Sequence, residues 1–270
     1  MARRARSEPA SRAGQANLVE IFSSVQGEGP HVGQATLFFR LGGCDLRCRW
    51  CDSPHTWRLA RRCRIELERG TGRFREVENP VEPGLALEAA EALGLARHRF
   101  ASFTGGEPLL QPAAVAELAH AVRARGPRIL LETHGLAADA LALVLGSVDV
   151  VSMDWKLASD VRRASDPARG PVAEFHEEHA RFLALARSAP ELVVKIVVTP
   201  ASRDEEIDAA CARIARIAPE AVLVLQPVTP FGSVREGPSA ERLLALLARA
   251  SQQLRDVRVI PQTHKLLGAL

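Results

Sequence analysis

Several features that would place the chain in a common class are missing from its sequence. It has no tyrosine, and none of its apolar runs approaches the ~20 residues that a membrane-spanning helix requires. Its formal charge of +3 over 270 residues is too balanced to predict a nucleic-acid partner. The basic start, MARRARSEPASRAGQ, has no apolar segment of the kind found in secretory signals. We expect a disordered tail at 1–16 and a cytoplasmic protein that needs neither membrane nor nucleic acid.

The cysteines are few and unevenly placed. They are Cys44, Cys48, Cys51, Cys63 and Cys211. An odd number with three in one short cluster does not build a disulfide framework. The pattern instead fits a reducing compartment and a metal or redox site. Cys211 lies in a helix-like stretch and is expected in the core.

Short apolar segments alternate with stretches of helical periodicity. The segments predict strands at 35–42, 99–108, 128–135, 147–154, 191–200, 221–230 and 256–262. Helices are predicted at 85–95, 110–125, 174–187, 203–217 and 239–254. The alternation predicts an α/β fold, either an open doubly wound sheet or, as we expect, an incomplete TIM-like parallel barrel of about six strands with helices outside. We expect one domain at 17–270, with an insertion at 58–84 that holds one hairpin.

Polar motifs follow the predicted strands at the point where each strand ends. They read GGCDLRC, TGGEP, ETHG, SMDWK, QPVTP and PQTHK. Ligand sites of parallel α/β folds lie at the carboxyl ends of the strands. The sequence therefore predicts that these motifs converge on one rim.

The cysteine cluster has the spacing C-x3-C-x2-C, in CDLRCRWCD at 44–52. Three thiolates can hold three irons of a 4Fe–4S cluster and leave the fourth iron without a protein ligand. Gly42 and Gly43 give the flexibility that such a loop needs. Two alternatives remain open at this point. One is a zinc site with His55 or Cys63 as a fourth ligand, and the other is a set of buried free cysteines.

Two motifs together resemble the radical S-adenosylmethionine (SAM) superfamily. The cysteine spacing, with Trp50 before the last cysteine, is the first, and TGGEP at 104–108 is the second. Four further stretches resemble the 7-carboxy-7-deazaguanine synthase family within it. They are IFSSVQGEGPHVGQATLFFRLGGC (21–44), CDSPHTW (51–57), VSMDWKL (151–157) and PQTHKLLGAL (261–270). The resemblance covers residues 19–57 and 99–270.

The resemblance implies an activity and a set of cofactors. The family contracts the ring of 6-carboxy-5,6,7,8-tetrahydropterin to form 7-carboxy-7-deazaguanine, with loss of ammonia, on the route to queuosine and related deazapurines. It implies a 4Fe–4S cluster on Cys44, Cys48 and Cys51, with SAM chelating the free iron and Mg²⁺ assisting. It also implies a reductant such as flavodoxin or ferredoxin, and a homodimer.

The resemblance further implies which residues bind the substrate. They are Val25, Gln26, Gly27, Glu28, Arg40, Thr104 and Leu270. The Gln26 amide suits a heterocycle edge that both donates and accepts, and Glu28 would accept from the guanidine-like edge. Arg40 would bind the substrate carboxylate, although an arginine in an apolar strand can equally be paired with an internal acid. His264 and Lys265 would support Leu270.

A larger set of residues is implied for SAM. The set is Asp52, Gly105, Gly106, Glu107, Glu132, Ser152, Met153, Asp154, Lys156, Gln226, Pro227, Val228 and Thr229. SMDWK is longer than the Ser-Pro-Lys of many family members, which leaves the last contact to either Asp154 or Lys156. The Ser53 hydroxyl would ligate Mg²⁺, unless Ser53-Pro54 only forms a turn. His134 is expected to be a polar neighbour of the site and not a metal ligand.

Two other functions remain open. Another small radical SAM enzyme, such as a glycyl-radical activase, would share the cysteines and TGGEP but should lack QGEG, CDSPHTW and QTHK. A zinc or iron–sulfur interaction module without catalysis would explain the cysteines. It would not explain polar motifs after nearly every strand.

Overall fold

The computed structural model describes residues 14–167 and 169–270. Most of the expected tail, residues 1–13, lies outside the described residues. The end of that expected tail is packed on the domain, because Ala16 is buried and forms an isolated antiparallel bridge with Val81.

The described residues form twelve strands and seven α-helices. The strands are β1 (Leu18–Val25), β2 (Ala35–Leu41), β3 (Leu46–Cys48), β4 (Arg62–Glu66), β5 (Phe74–Glu78), β6 (Phe100–Gly105), β7 (Arg128–Thr133), β8 (Val150–Asp154), β9 (Val161–Arg163), β10 (Glu191–Val198), β11 (Val222–Pro227) and β12 (Val257–Val259). The helices are α1 (Pro83–Ala92), α2 (Pro112–Arg123), α3 (Ala138–Val144), α4 (His176–Ala186), α5 (Asp204–Ile217), α6 (Ala240–Ala250) and α7 (Thr263–Leu267).

Ten strands form one sheet in the order β12-β11-β10-β8-β7-β6-β2-β1-β4-β5. From β2 to β12 every neighbouring pair is parallel. Among the described residues no pairing joins the edge strands β12 and β5, so the sheet does not close. The expected incomplete parallel barrel is therefore confirmed, and all seven predicted strands are present.

The hairpin expected within 58–84 is formed by β4 and β5. It extends the sheet because β4 pairs in parallel with β1, and β1 pairs antiparallel with β2. Outside the main sheet, β3 and β9 form a separate two-stranded antiparallel ribbon. The short elements β3, β9, α3 and α7 were not predicted, since each has too few residues to display a clear period, and the eight-residue strand β1 was not predicted either.

The inward side chains of the parallel strands change from apolar to polar along the strands. Phe100, Leu130, Val150, Val193 and Val224 pack together as a small apolar cluster. Two residues later, each strand places a side chain on the same face. These next residues are Ser102, Glu132, Ser152, Lys195 and Gln226. The apolar layer thus closes the amino end of the barrel interior, and a polar layer faces the carboxyl end.

The main core lies between the helices and the outer face of the sheet. In α2, for example, Val115, Leu118 and Val122 are buried at three- and four-residue spacing. Within the described part of the chain, no helix has both the length and the apolar character to cross a bilayer.

Candidate active site

A cavity of about 350 Å³ opens at the carboxyl ends of the parallel strands. This volume is in the range of small-molecule sites. Its wall combines the strand ends with the loop after β1, the cysteine loop and the last residues of the chain. Every residue expected to bind substrate, SAM or metal lies in this wall except Glu107, Met153 and Pro227. The predicted convergence on one rim is therefore present.

Met153 and Glu107 lie behind the wall, and Pro227, the last residue of β11, is half-buried. Met153 is fully buried in the core on the helix side of the sheet. Glu107 is also fully buried, and its carboxylate accepts hydrogen bonds from Leu109 N (2.9 Å), Thr133 Oγ1 (2.7 Å) and His134 N (2.8 Å). A carboxylate held by three donors is fixed in place. The acid of TGGEP thus ties the β6 loop to the end of β7.

The cysteine loop is held by its own backbone. Gly43 donates to Thr56 O (2.8 Å) and accepts from Glu107 N (2.8 Å), and Cys51 N donates to Cys48 O (3.2 Å). Gly43 has φ +93°, a conformation that favours glycine. All three cysteines of the loop are free thiols and face the cavity.

The thiols of Cys44 and Cys48 lie in a buried environment beside Lys156. Burial raises the pKa of the Cys44 thiol to about 11 and that of Cys48 to about 12, while Lys156 opposes this rise at both. Among residues 14–167 and 169–270, no three His, Cys, Asp or Glu side chains are placed to hold a single metal ion. A structural zinc site would need four converging ligands. Three free thiols facing a shared cavity fit a 4Fe–4S cluster better than one zinc ion.

The two glycines of TGGEP allow β6 to approach the cysteine loop. A Cβ on Gly106 would lie 2.0 Å from Gly43 O, and one on Gly105 would lie 2.4 Å from Leu41 O. These are backbone atoms and cannot move aside. The two glycines are therefore required for this close packing.

Glu132, in the polar layer of the barrel, is an acceptor of several hydrogen bonds. Its carboxylate accepts from Ser102 Oγ (2.6 Å), Thr104 Oγ1 (3.1 Å) and Gln26 Nε2 (3.0 Å). The Gln26 side chain is thereby fixed above β7. Its own Oε1 accepts from Glu28 N (3.0 Å), which orders the QGEG loop.

A chain of alternating charges crosses the cavity floor. Lys156 Nζ lies 2.6 Å from Asp154 Oδ2, and Lys195 Nζ lies 3.1 Å from Asp154 Oδ1 and also pairs with Glu28. Burial alone would lower the pKa of Lys195, but Asp154 and Glu28 outweigh it and raise that pKa. Burial would raise the pKa of Asp154, but Lys156 and Lys195 lower it. The pairs therefore stay ionised although they are buried.

Arg40 is held by an acid and still faces the cavity. Its Nε lies 2.8 Å from Glu20 Oε1, directly across the β1–β2 pairing. Its guanidinium carbon lies 5.3 Å from the centre of the Phe22 ring. The ion pair with an internal acid is therefore present, and the terminal nitrogens of Arg40 have no partner among the described residues.

The end of the chain closes over the QGEG loop. Thr263 N donates to Gly27 O (2.8 Å), Gln262 Nε2 donates to Glu28 Oε1 (2.8 Å), and Ser24 Oγ donates to Leu270 O (3.1 Å). Lys265 Nζ lies 3.0 Å from Asp52 Oδ2, and Asp52 Oδ1 accepts from Ser53 Oγ (3.0 Å). A Cβ on Gly27 would overlap the His264 ring at 1.9 Å. Gly27 thus makes room for the C-terminal segment.

His134 stands beside the cysteine loop, as expected for a polar neighbour. Its Nε2 lies 2.9 Å from Asp45 Oδ1 and its Nδ1 lies 3.4 Å from Glu107 Oε2. Burial alone would lower the pKa of His134, but Glu107 and Asp45 outweigh it and raise that pKa.

Three residues of the site were missed by sequence reasoning. Lys195 and Gln262 lie in the cavity wall, and Glu20 orients Arg40. Lys195 carried a usable signal, since a lysine inside the apolar strand ELVVKIVV needs a buried partner. Glu20 carried none, because its pairing with Arg40 depends on strand register.

The chain was compared with known proteins. The family model described as Radical SAM superfamily matches residues 40–214. A protein of Geobacter sulfurreducens named 7-carboxy-7-deazaguanine synthase is 37% identical over 260 residues, covering 94% of this chain and 98% of that protein. One of the same name from Methanopyrus kandleri is 35% identical over 255 residues, covering 93% of each.

Solved structures show the same fold at lower identity. The crystal structure of QueE from Escherichia coli superposes with a TM-score of 0.58 at 21% identity, covering 93% of this chain and 95% of that one. A structure of TYW1 with a lysine-pyruvate adduct bound gives a TM-score of 0.52 at 12% identity, covering 81% of this chain and 74% of that one. These structural similarities support the architecture. They do not identify the substrate, which has to be inferred from the residues of the site.

Proposed function

We infer that this chain, which belongs to the 7-carboxy-7-deazaguanine synthase family of radical SAM enzymes, carries out that family's reaction in the cavity described above. The reaction is the ring contraction of 6-carboxy-5,6,7,8-tetrahydropterin to 7-carboxy-7-deazaguanine with loss of ammonia, in queuosine and deazapurine biosynthesis. The observation that carries this inference is that three free cysteines and a polar, charged floor share one cavity. A non-catalytic metal module accounts for the cysteines alone.

The cofactors are a 4Fe–4S cluster and SAM, and we propose Cys44, Cys48 and Cys51 as the cluster ligands. When bound, the two supply one-electron chemistry that delivers a radical to the substrate. The chain itself positions the reactants and excludes water, since the strand ends and the C-terminal segment surround the cavity. For SAM we propose contacts with Asp52, Gly105, Gly106, Glu132, Ser152, Asp154, Lys156, Gln226, Val228 and Thr229. Glu107 and Met153 would act through the backbone from behind the wall, and Pro227 through the backbone at the end of β11.

The pterin would be held by the QGEG loop and its neighbours. Glu132 fixes the Gln26 side chain, and Lys195 and Gln262 fix Glu28. An oriented amide and an ionised carboxylate match the donors and acceptors of a pterin edge. Arg40 would receive the substrate carboxylate on its free terminal nitrogens. Val25, Gly27, Thr104 and Leu270 would complete the pocket.

We propose that Mg²⁺ binds at Ser53. The support is that its hydroxyl lies in the cavity wall, 3.0 Å from Asp52 Oδ1. Oxygen donors of this kind suit a hard cation that keeps much of its water.

The proposed setting of the enzyme follows from its chemistry. Free thiols and a reducible cluster fit the cytoplasm, with a protein reductant such as flavodoxin or ferredoxin and no need for nucleic acid. We propose a homodimer, because Leu266 and Leu267 on α7 are 78% and 68% exposed and form an apolar pair. We also propose that 17–270 is one domain, since ten of its twelve described strands join one sheet.

The reaction is tested with reconstituted protein under anaerobic conditions. Carboxytetrahydropterin, SAM and dithionite are incubated with the protein, with and without Mg²⁺, and products are identified by mass. We expect 7-carboxy-7-deazaguanine, about four irons per chain, and faster turnover with Mg²⁺. Intact pterin in the presence of a complete cluster would overturn the function, whereas one zinc and no iron would favour the interaction module.

A further inference from the structure

The β3–β9 ribbon has two different faces. Residues directly opposite each other in an antiparallel pair point to the same side. Cys48 is opposite Val161, and Cys48 lies in the cavity wall while Val161 is buried. Arg47 is opposite Arg162, so these two half-buried arginines share the other face, where the Arg47 guanidinium carbon lies 4.8 Å from the centre of the Trp57 ring. The strand that carries a proposed cluster ligand therefore also carries positive charge on its other face.

Arg47, Arg49 and Arg162 form what is here termed the ribbon arginine patch. Two like charges directly opposite each other destabilise a strand pair. Within residues 14–167 and 169–270, neither Arg47 nor Arg162 lies within ion-pair distance of a carboxylate. Arg47 donates to the carbonyls of Cys44 (2.9 Å) and Leu46 (2.7 Å), and Arg162 donates to Pro167 O. Arg49 is 49% exposed, and its Nη1 is 3.8 Å from the buried Asp160.

Among the acids near the ribbon, the buried Asp160 is the partner of Arg49 and also accepts from Thr199 and Ser202. Asp45 is paired with His134 behind the cysteine loop. Glu178 is paired with Arg163, which lies against Phe175. Many other arginines of the chain have carboxylate partners, for example Arg242 with Asp204 and Arg128 with Glu191. Among the described residues, Arg47 and Arg162 thus keep positive charge that no carboxylate pairs, on the ribbon that carries Cys48.

We propose that the ribbon arginine patch is the docking surface for an acidic one-electron carrier protein of the flavodoxin type. This inference rests on the proposed function, which needs a reductant at the cluster. Positive charge on this patch attracts an acidic partner and orients it on the ribbon. The partner would then be separated from the cluster site by the thickness of one ribbon. Small, wet, charge-guided interfaces are typical of such electron-transfer encounters.

The step at this surface transfers one electron. The reduced flavin of the carrier is oxidised by one electron and the cluster is reduced by one electron. No bond of this chain forms or breaks. The carrier then leaves, and Arg49 and Arg162 act only on its binding, whereas Arg47 also supports the cysteine loop.

The test compares a protein reductant with a small one. Holoenzyme carrying Arg49→Gln and Arg162→Gln is reduced either by a purified acidic flavodoxin or by dithionite, and cluster reduction is followed by absorbance and electron paramagnetic resonance. At an ionic strength of about 0.02 M we expect roughly tenfold slower reduction by flavodoxin and an unchanged rate with dithionite. At about 0.5 M salt, the difference between wild type and this variant in the rate of reduction by flavodoxin should become smaller. Arg47 is left intact because it supports the cysteine loop.

A matched control removes the same charge elsewhere. Arg97 and Arg216 are exposed. They lie near the amino ends of β6 and β11, at the end of the strands opposite to the cavity. In the variant that carries both Arg97→Gln and Arg216→Gln, flavodoxin should reduce the cluster at the wild-type rate. The docking surface would be overturned if the control variant were reduced by flavodoxin as slowly as the patch variant, or if the patch variant were reduced at the wild-type rate. It would also be overturned if dithionite reduced the patch variant more slowly than wild type. Product formation with dithionite tests the proposed function separately.

Discussion

Glu20 was not predicted as a residue of the site, but it orients Arg40, which was. It lies across the strand pair from Arg40 and holds Nε, and it shares its second oxygen with Arg64 at 3.5 Å. Fixing Nε leaves the end of the guanidinium fork turned toward the cavity. Charge-assisted bonds of this kind give direction as well as energy.

Replacing Glu20 tests this positioning role. Glu20→Ala should raise the KM for the pterin about tenfold, equivalent to ~1.4 kcal/mol, with little change in kcat. Glu20→Gln, which keeps an acceptor, should recover most of the affinity. Steady-state kinetics with dithionite provide both constants.

Arg64→Met supplies the control for that measurement. It removes the other partner of Glu20 and leaves the Arg40 bond in place, so KM should not change. A KM for Glu20→Ala equal to that of wild type would contradict the assignment of Arg40 to the substrate carboxylate.

His179 makes the stability of the site depend on pH. It is fully buried, it accepts from Lys156 N at Nε2 (2.8 Å), and its Nδ1 donates to Gly135 O (2.8 Å). Burial lowers the pKa of His179 from 6.5 to about 3. Between these values the unfolded chain binds the extra proton and the folded chain does not. The stabilisation is therefore complete above pH 6.5 and is lost as the pH falls toward 3.

A histidine variant isolates this effect. Denaturant unfolding of the holoenzyme at pH 8 and pH 5.5 should show a loss of about 1.4 kcal/mol from His179. In His179→Gln that part of the difference should disappear, although the variant is less stable at pH 8. The exposed His120→Gln is the control and should keep the wild-type difference. Identical pH dependence in all three proteins would show that His179 is not the group concerned.

At the scale of elements, the contact between the β6 loop and the cysteine loop is the most constrained. Two backbone segments meet there with no room for a side-chain carbon. Glu107 adds a second tie by binding the start of the next loop at His134 N. The motif therefore aligns two strand ends before any ligand binds.

Gly106→Ala should break this alignment. Its Cβ would lie 2.0 Å from Gly43 O and 2.8 Å from Thr56 O, so the loop must shift. We expect a cost of about 2 kcal/mol or more, seen as a Tm lower by roughly 5 °C, together with reduced iron content. Gly146→Ala, where nothing lies within 4 Å of the new carbon, should change neither. Full iron loading in Gly106→Ala would show that the approach is not required.

At the scale of the whole molecule, the first strand and the last segment meet over the cavity. The QGEG loop follows β1, and residues 262–270 bind it through backbone and side-chain hydrogen bonds. Leu266 and Leu267 of that segment are exposed, so it adds little to the core. The segment is therefore placed to act as a cover of the site and contributes little to folding.

Removing residues 263–270 tests this cover. The truncated protein should keep its iron and remain folded, since little of the core is lost, although loss of Leu266 and Leu267 should weaken the proposed dimer. Pterin affinity should fall by tenfold or more, because Leu270 and the support of Asp52 by Lys265 are removed. Lys265→Met, with the segment present, should show a smaller loss. Unchanged pterin binding after truncation would mean that the segment does not form the site.

The sequence by itself determined the alternation of strands and helices, the three-cysteine loop and the polar motifs at strand ends. These features depend on local periodicity and on residue chemistry, and both can be recognised from the order of residues alone. Only the tertiary structure decided that Lys195 joins Glu28 to Asp154, that Glu20 directs Arg40, and that Glu107 faces inward. Each of those depends on strand register and on which residues two or more segments bring together. Buried charges are stable only with partners, and those partners lie far apart in the chain.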